Sequence, residues 1–445
     1  MTTGEAGAVD TMADQTLVDL APRILYLAGH FMAPPHTAGS SRPLELARRM
    51  VADGHHVTLL STDAFLRQEG MTLADIPSDH LGGVEVVLTE SGYSNDMGFT
   101  RRKVEFVAQA LKQAVVAVRG DHDLVYATST PLTVLGPALA RRRLRGTPFA
   151  FEARDVWPEA AIEIGALSHP WQQRAAHALA DAGYANAIQV ITLSEGMRDL
   201  IEARGVDPSR ITVAHNAAAP AAVARSSEDD GDHSLATVAP AVAASIEPVV
   251  SFLDGAAIAS IYAGTIGRAN EVTWLVDLVA ALDPALDLRL AIVGTGSEAE
   301  AVRRAIATAP PAVHERIALF DSMPKGSLFT VMEAVDLAFS TFADLPSLTT
   351  NSPNKVFDAW AMGVPVATNN GGWLATELHT HGAGIALPRS IPAAAATLGT
   401  WLATPGALAA ASVAARGRIT EEYNWDRKYA VIRAALATAL TREAA

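Results

Sequence analysis

From Arg23 onward, short β-branched and aliphatic runs alternate with longer stretches of helical periodicity, and this alternation predicts strand and helix by turns. Seven runs read as strands in the first half of the chain, at 23–29, 55–61, 84–88, 123–129, 148–154, 188–194 and 211–217. Six more follow at 258–264, 288–294, 316–321, 335–341, 365–370 and 384–388. Such a βαβα rhythm belongs to parallel sheets covered on both faces by helices. Between the two sets, residues 218–255 lose the rhythm. Ala, Ser and Pro take over there, with an acidic patch at 226–232, as in a linker or surface insertion. Beyond Ile391 the chain reads as Ala-rich helices, interrupted near Pro405 and again at Tyr423-Asn424-Trp425.

The expected fold class is α/β, with two Rossmann-like, doubly wound parallel-sheet domains. The boundaries that follow are a disordered lead over 1–21, a first domain over 22–217, the linker or insertion over 218–255, a second domain over 256–422 and a terminal helix over 423–445. Length agrees, since 445 residues, 49% of them hydrophobic, exceed what one core usually holds. No apolar run approaches the roughly 18 residues of a membrane span. The first twenty residues hold acids but no Lys or Arg, so they cannot form the basic start of a signal peptide, and a cytoplasmic location is expected. The absence of cysteine removes disulfides, thiolate metal sites and thiol nucleophiles together, leaving His and carboxylates as the available metal ligands. A formal charge of −14 argues against a general nucleic-acid binder, which needs a surplus of clustered Lys and Arg.

Ligands of open parallel sheets gather at the carboxyl ends of strands, where loops expose backbone N–H groups and helix N-termini favour anions. After the first strand, Gly39, Ser40 and Ser41 stand where a helix should begin, with Arg42 in its first turn. An anion cradle and an ordinary Ser-capped helix fit this equally well. Strand 258–264 runs into GTIGRAN, whose Gly264 and Gly267 let a phosphate approach the backbone and whose Arg268 has the charge to neutralise it. Strand 288–294 runs into GTGSEAEAV, where Gly294 and Gly296 open a G-x-G-x-x-A turn suited to any nucleotide. The acid that a dinucleotide site places on a following strand about twenty residues later is missing, because strand 316–321 ends only at Asp321. That speaks against a dehydrogenase. Lys325 lies just beyond the same strand, either facing the crevice or solvated in its loop.

The stretch 339–378 is the most informative. Ser352-Pro353 reads as a helix start, with Asn354 and Lys355 in the first turn and Asp358 one turn further on, so Lys355 and Asp358 are helical neighbours. In that position the helix N-terminus and Lys355 meet a nucleotide diphosphate while Asp358 accepts hydrogen bonds from sugar or ribose hydroxyls. A surface salt bridge would show the same spacing. The following AMGVPVA is a tight turn feeding a buried strand, which sets the helix start at the ligand edge of the sheet.

From Arg23 to about Trp425 the sequence resembles the family 4 retaining glycosyltransferases with the GT-B fold, especially the branch that builds bacterial surface polysaccharides. The most specific element runs from Asp358 to Val366, DAWAMGVPV, and is similar to the family's Glu-Ala-Met-Ala-x-Gly-x-Pro-Val. The leading acid of that motif binds the donor's ribose, so the resemblance gives this role to Asp358. A second family glutamate, seven residues earlier and assigned to the donor sugar, is replaced here by Asn351. NSPNK (351–355), FEARDVWPE (151–159) and NNGGW (369–373) look like the polysaccharide branch.

The resemblance implies two domains facing across a cleft, with a terminal helix that crosses back to the first. It implies Arg268 with Lys325 or Lys355 on the leaving diphosphate, and Gly264, Gly267, Gly294, Gly296, Asn351, Ser352 and Asn354 around the donor. Gly39, Ser40, Arg42, Arg154, Asp155 and Glu159 fall on the acceptor side, with Arg154 where many relatives have an active-site His. The donor is expected to be a UDP-sugar, with an N-acetylated hexosamine preferred, and the acceptor a hydroxyl of a glycan or polyprenol-linked carrier. No cofactor or metal is expected. Asp121-His122-Asp123 spells the D-x-D that another glycosyltransferase fold uses for a metal, but it precedes its strand at the amino edge of the sheet, away from the crevice.

Arg101-Arg102-Lys103 and Arg141-Arg142-Arg143-Leu144-Arg145 are two basic clusters in the first domain. They would hold the enzyme on the anionic inner face of the cell membrane, near a lipid-linked acceptor, at about 1 kcal/mol per nearby cation. Solvated helix faces would carry the same residues. Two rival readings use the same architecture: a UDP-sugar 2-epimerase, which consumes its donor without an acceptor, and a non-catalytic sugar-nucleotide-binding subunit, favoured by Asn351 in place of glutamate.

Overall fold

In the computed structural model, the structure describes residues 21–33, 42–94, 97–218 and 240–444, the side chains of 240–245 apart. The first sheet contains β1 (Arg23–Ala28), β2 (His56–Thr62), β3 (Glu85–Thr89), β4 (Leu124–Thr128), β5 (Phe149–Ala153), β6 (Gln189–Thr192) and β7 (Ile211–Val213). Its order is β3-β2-β1-β4-β5-β6-β7, with every pairing parallel. The second contains β8 (Ile258–Ala263), β9 (Leu288–Val293), β10 (Ile317–Phe320), β11 (Leu337–Ser340), β12 (Val366–Thr368) and β13 (Gly384–Ala386). Its order is β10-β9-β8-β11-β12-β13, again parallel throughout. Both sheets are doubly wound. The winding reverses between β1 and β4 and between β8 and β11, and a crevice opens at the carboxyl ends there.

All thirteen expected strands are present, most of them trimmed at the ends. The strand expected over 211–217 stops at Val213 because the Arg42 guanidinium takes the carbonyls of Ala214 (3.0 Å) and His215 (2.8 Å). The one expected over 365–370 stops at Thr368, since Asn369 accepts from the Phe342 N–H and Asn370 donates to the Leu348 carbonyl.

The region read as a linker contains an element of its own. Residues 240–253 form the helix Pro240–Leu253, and its Ile246, Val249 and Leu253 enter the core of the second domain beside Ile261 and Trp360. Pro248 inside the helix and the absence of a polar face hid it from a periodicity argument. Residues 219–239 and 1–20 of the expected linker and lead lie outside the described residues.

After Ile391 the chain runs through helices Ile391–Ala403, Ala407–Glu421 and Trp425–Ala444, with breaks at the two expected places. The last helix packs on the first domain. Trp425, Tyr429, Ile432 and Leu436 join the core around Tyr26 and Leu44, each contributing roughly 1.5–3 kcal/mol by burial. Tyr429 donates to Asp53 at 2.7 Å, and Arg49 pairs with Asp426 at 2.9 Å.

Candidate active site

The carboxyl edges of the two sheets share a cleft of about 270 Å³. Its first-domain wall is made by Gly29 and His30 after β1, Thr128 to Thr130 after β4, Arg154 and Asp155 after β5, and Asn216 after β7. The second-domain wall is Asn270, Phe342 and the whole of 351–355. Contacts across the gap fix the walls relative to each other: Asn216 Nδ2 donates to the Ser352 carbonyl and Ser194 Oγ to the Thr350 carbonyl, each at 2.5 Å. Glu163 accepts from the Ser347 N–H at 3.1 Å and from its hydroxyl at 2.5 Å.

On the second-domain side, the helix Asn354–Ala361 starts one residue after Pro353 and points its N-terminus at the cleft. Lys355 and Asp358 do not pair along it. Lys355 Nζ donates to the Tyr262 hydroxyl at 2.9 Å and lies 4.0 Å from the centre of that ring, while Asp358 pairs with Lys325 at 2.7 Å. Burial lowers the Lys355 pKa to about 7. Burial pushes the Asp358 carboxyl above its ordinary range, and the Lys325 ammonium beside it works in the opposite direction. Neither Lys325 nor Asp358 is among the residues that line the cleft; the pair is largely buried, with 7% of the Lys325 side chain and 11% of the Asp358 side chain exposed. Asn351 Oδ1 and Ser352 Oγ are buried without a hydrogen-bond partner among the described residues. Two such atoms side by side in a cleft wall are groups held ready for a ligand.

Two of the glycines serve a purpose beyond the one expected of them. A Cβ on Gly294 would lie 1.9 Å from the Gly264 carbonyl oxygen, and one on Gly296 would lie 2.5 Å from that of Ile266. These two positions let the loops after β8 and β9 cross each other, rather than only admitting a phosphate. Gly264, at φ +151°, faces the Lys355 ammonium, whereas Gly267 has nothing close but a methyl of Thr265. Arg268 stands at the rim, 61% exposed, with its guanidinium 3.5 Å from the Ile164 carbonyl across the gap and 3.8 Å from Glu298.

On the first-domain side, Arg154 and Asp155 line the cleft as expected, with Asp155 accepting from Thr130 at 2.6 Å. Arg42 does not. It is fully buried and bound to Glu152 at 2.8 Å and to two carbonyls, so its charge is spent on joining β5 to the chain after β7. Glu159 is also absent from the cleft, held by Arg204 at 2.5 Å within the first domain. Gly39 and Ser40 lie outside the described residues. Asp121 and Asp123 both bind Arg23, at the amino edge of the sheet.

His30 is a cleft residue that sequence reasoning missed. Its ring sits 4.4 Å from that of Tyr93 and 5.2 Å from that of Phe65, and its Nδ1 is buried without a partner among the described residues. Burial, helped by Arg154 and Arg102, lowers its pKa to about 4, so the imidazole is neutral near pH 7. Its one signal was its place, two residues past the end of β1. Asn216, Asn270 and Tyr262 gave no signal, because the contacts that tie them to Ser352, Thr341 and Lys355 are distant in sequence.

Twin doubly wound sheets that share one polar cleft at their carboxyl edges define the GT-B architecture. Residues 38–217 match the glycosyl transferase 4-like domain, and residues 259–404 match the glycosyl transferases group 1. The chain belongs to the GT-B glycosyltransferases and is an enzyme of that class. HepE from Anabaena, solved in complex with UDP-glucose, is similar over 95% of this chain and 100% of its own, at 14% identity and a TM-score of 0.63. Sucrose-phosphate synthase from Thermosynechococcus elongatus covers 95% of this chain and 98% of its own, at 15% and 0.65. A Listeria monocytogenes protein described as a UDP-N-acetylglucosamine 2-epimerase covers 95% and 97%, at 15% and 0.56. Likeness at these identities shows the fold. No curated protein matches the sequence. Among the described residues no single helix is long and apolar enough to cross a membrane.

Proposed function

We propose that the enzyme is a retaining glycosyltransferase of surface-polysaccharide synthesis. In this reading it moves a sugar from a UDP-linked donor, preferably an N-acetylated hexosamine, to a hydroxyl of a glycan or lipid-linked acceptor. The observation that carries this reading is the 351–355 wall, where a helix N-terminus, Lys355 and the unpartnered Asn351 Oδ1 and Ser352 Oγ converge on the cleft. A diphosphate meets Lys355 and the helix N-terminus, sugar hydroxyls meet Asn351 and Ser352, and ribose meets the exposed edge of Asp358 that Lys325 steadies. Arg154, Asp155 and His30 face the acceptor from the opposite wall. The acceptor oxygen bonds to the anomeric carbon on the side from which the diphosphate departs, the sugar–phosphate bond breaks, and a departing phosphate oxygen takes the acceptor's proton. No side-chain base and no metal enters that scheme. Fixed positive charge on the leaving group is then the main catalytic contribution, about 3–4 kcal/mol for one key group.

A thermal-shift titration with UDP, GDP, ADP and NAD⁺ tests the donor site, because selective binding raises apparent stability by mass action. UDP is expected to stabilise the native enzyme, and the shift to be lost in Asp358→Ala and Arg268→Ala. Arg268→Ala is further expected to lower turnover at least about a hundredfold. A shift with NAD⁺ alone would overturn the reading. The 2-epimerase reading shares this fold, and is recognised by UDP-sugar consumed at full rate with no acceptor present.

A further inference from the structure

Large apolar side chains are rarely exposed in a row, yet the helix Phe99–Arg119 exposes Val104 (66%), Val107 (54%), Leu111 (66%) and Val115 (52%). These are four of the nine exposed large hydrophobics among the described residues, and their spacing of three and four puts them on one stripe. The stripe is about 16 Å long at 1.5 Å per residue. Arg101, Lys112 and Arg119 are exposed along one flank of the stripe, where Lys112 Nζ donates to the Glu90 carbonyl at 2.7 Å. The helix's one acid, Glu105, turns away and accepts from Ser91 and Gln109 at 2.8 Å. The Glu90 side chain pairs with Arg67 at 3.0 Å.

The surface extends at both ends. At the cleft end, Lys103 donates to Gln172 at 3.2 Å, bringing the neighbouring Trp171, 66% exposed, beside the start of the stripe. At the far end, Arg145 donates to the Val118 carbonyl at 3.0 Å, and Leu144, 69% exposed, follows with Arg143. The two arginine runs noted in the sequence therefore contribute only in part. Arg141 is buried, bound to the carbonyls of Gly120 and His122, and Arg142 pairs with Glu443.

We infer that this face is a membrane-docking surface. The helix Phe99–Arg119 lies flat in the headgroup region of an anionic bilayer, with its aliphatic stripe inserted, its cations on the lipid phosphates and Trp171 at the interface. Charge decides the occupant. A chain of net charge −14 gathers cations around this exposed apolar helix stripe, which complements anionic lipid. A second copy docked face to face would set the same cations against each other. The helix follows β3, so it starts at the carboxyl edge of the sheet. Docking along it holds the mouth of the cleft close to the lipid surface, where a lipid-linked acceptor would be.

Vesicle flotation of the full chain tests this independently of donor and acceptor, so its failure would leave the transfer reading standing. The native enzyme is expected to float with phosphatidylcholine vesicles containing about 30% phosphatidylglycerol at low salt, and to stay behind with phosphatidylcholine alone. The quadruple change of Val104, Val107, Leu111 and Val115 to Gln, and the triple change of Arg101, Lys112 and Arg119 to Gln, should each cut the bound fraction at least about tenfold. Both sets are exposed, and only Lys112 gives up a protein hydrogen bond, to the Glu90 carbonyl, so unchanged circular-dichroism melting confirms the fold. No flotation of the native enzyme, or undiminished flotation of the Gln-substituted stripe, overturns the proposal. So does a dimer in sedimentation velocity that the stripe variant abolishes, which would assign the face to a second copy.

Discussion

Lys355 holds its ammonium against the Tyr262 ring in the cleft wall, and burial there brings its pKa to about 7. Near neutral pH the free enzyme therefore carries this site partly uncharged. A diphosphate alongside favours the charged form, so UDP binding above pH 7 should take up a proton, and affinity should fall by up to about tenfold per pH unit until the bound-state pKa is passed. Calorimetry at pH about 8 in two buffers of different ionisation enthalpy counts that proton. Lys355→Met should bind more weakly with no uptake; native binding without uptake would put the diphosphate elsewhere. The stability linkage has a definite sign. An unfolded lysine titrates near 10.5 and the folded one near 7, so the unfolded chain binds more protons between those values. The stabilising share is full above that window and is lost as the pH falls to about 7. Lys355 was legible from its place after Ser352-Pro353. Its partner Tyr262 was not, nor was the choice of Lys325 for Asp358, because nothing in a local sequence window says which distant side chain closes a pair.

At the scale of elements, the glycine-rich loops show how one sequence pattern serves two purposes. Gly294 is needed because the loop after β8 passes within a methyl's width of it, while Gly267 has room for a Cβ. Gly294→Ala should destabilise the second domain by about 1–3 kcal/mol through forced loop displacement, and Gly267→Ala should leave the melting temperature nearly unchanged. Thermal melting of the two variants checks the contrast, and equal melting would mean the loops re-seat at little cost. The strands themselves were legible to within about one to four residues at their ends, since a buried parallel strand is a short apolar run between breakers. The helix Pro240–Leu253 was not. Apolar on nearly every side and carrying Pro248, it lacks the polar face by which helices are recognised, and only packing against the second sheet explains it.

At the scale of the whole molecule, the cleft depends on a few hydrogen bonds that span the two domains. Asn216 to Ser352 and Glu163 to Ser347 join walls carried by different sheets. Removing both, in Asn216→Ala with Glu163→Ala, should leave each core intact yet widen the resting arrangement. Small-angle scattering should show a larger radius of gyration without UDP and a return toward the native value with it. Identical scattering would show that the remaining contacts, Ser194 to Thr350 among them, and the terminal helix Trp425–Ala444 suffice to set the domain spacing. Sequence by itself determined the two sheets, their parallel winding and the position of the 351–355 wall, because hydrophobic period, breakers and the Asp358–Val366 motif are local signals. Which of the other candidate polar residues face the cleft was decided only by tertiary structure. Arg42 looked like part of an anion cradle and instead binds Glu152, 110 residues away, while Glu159 is taken by Arg204, 45 residues away. Desolvating a charge is costly, so each buried ion settles on the partner that folding brings nearest, and that choice exists only once the chain has closed on itself.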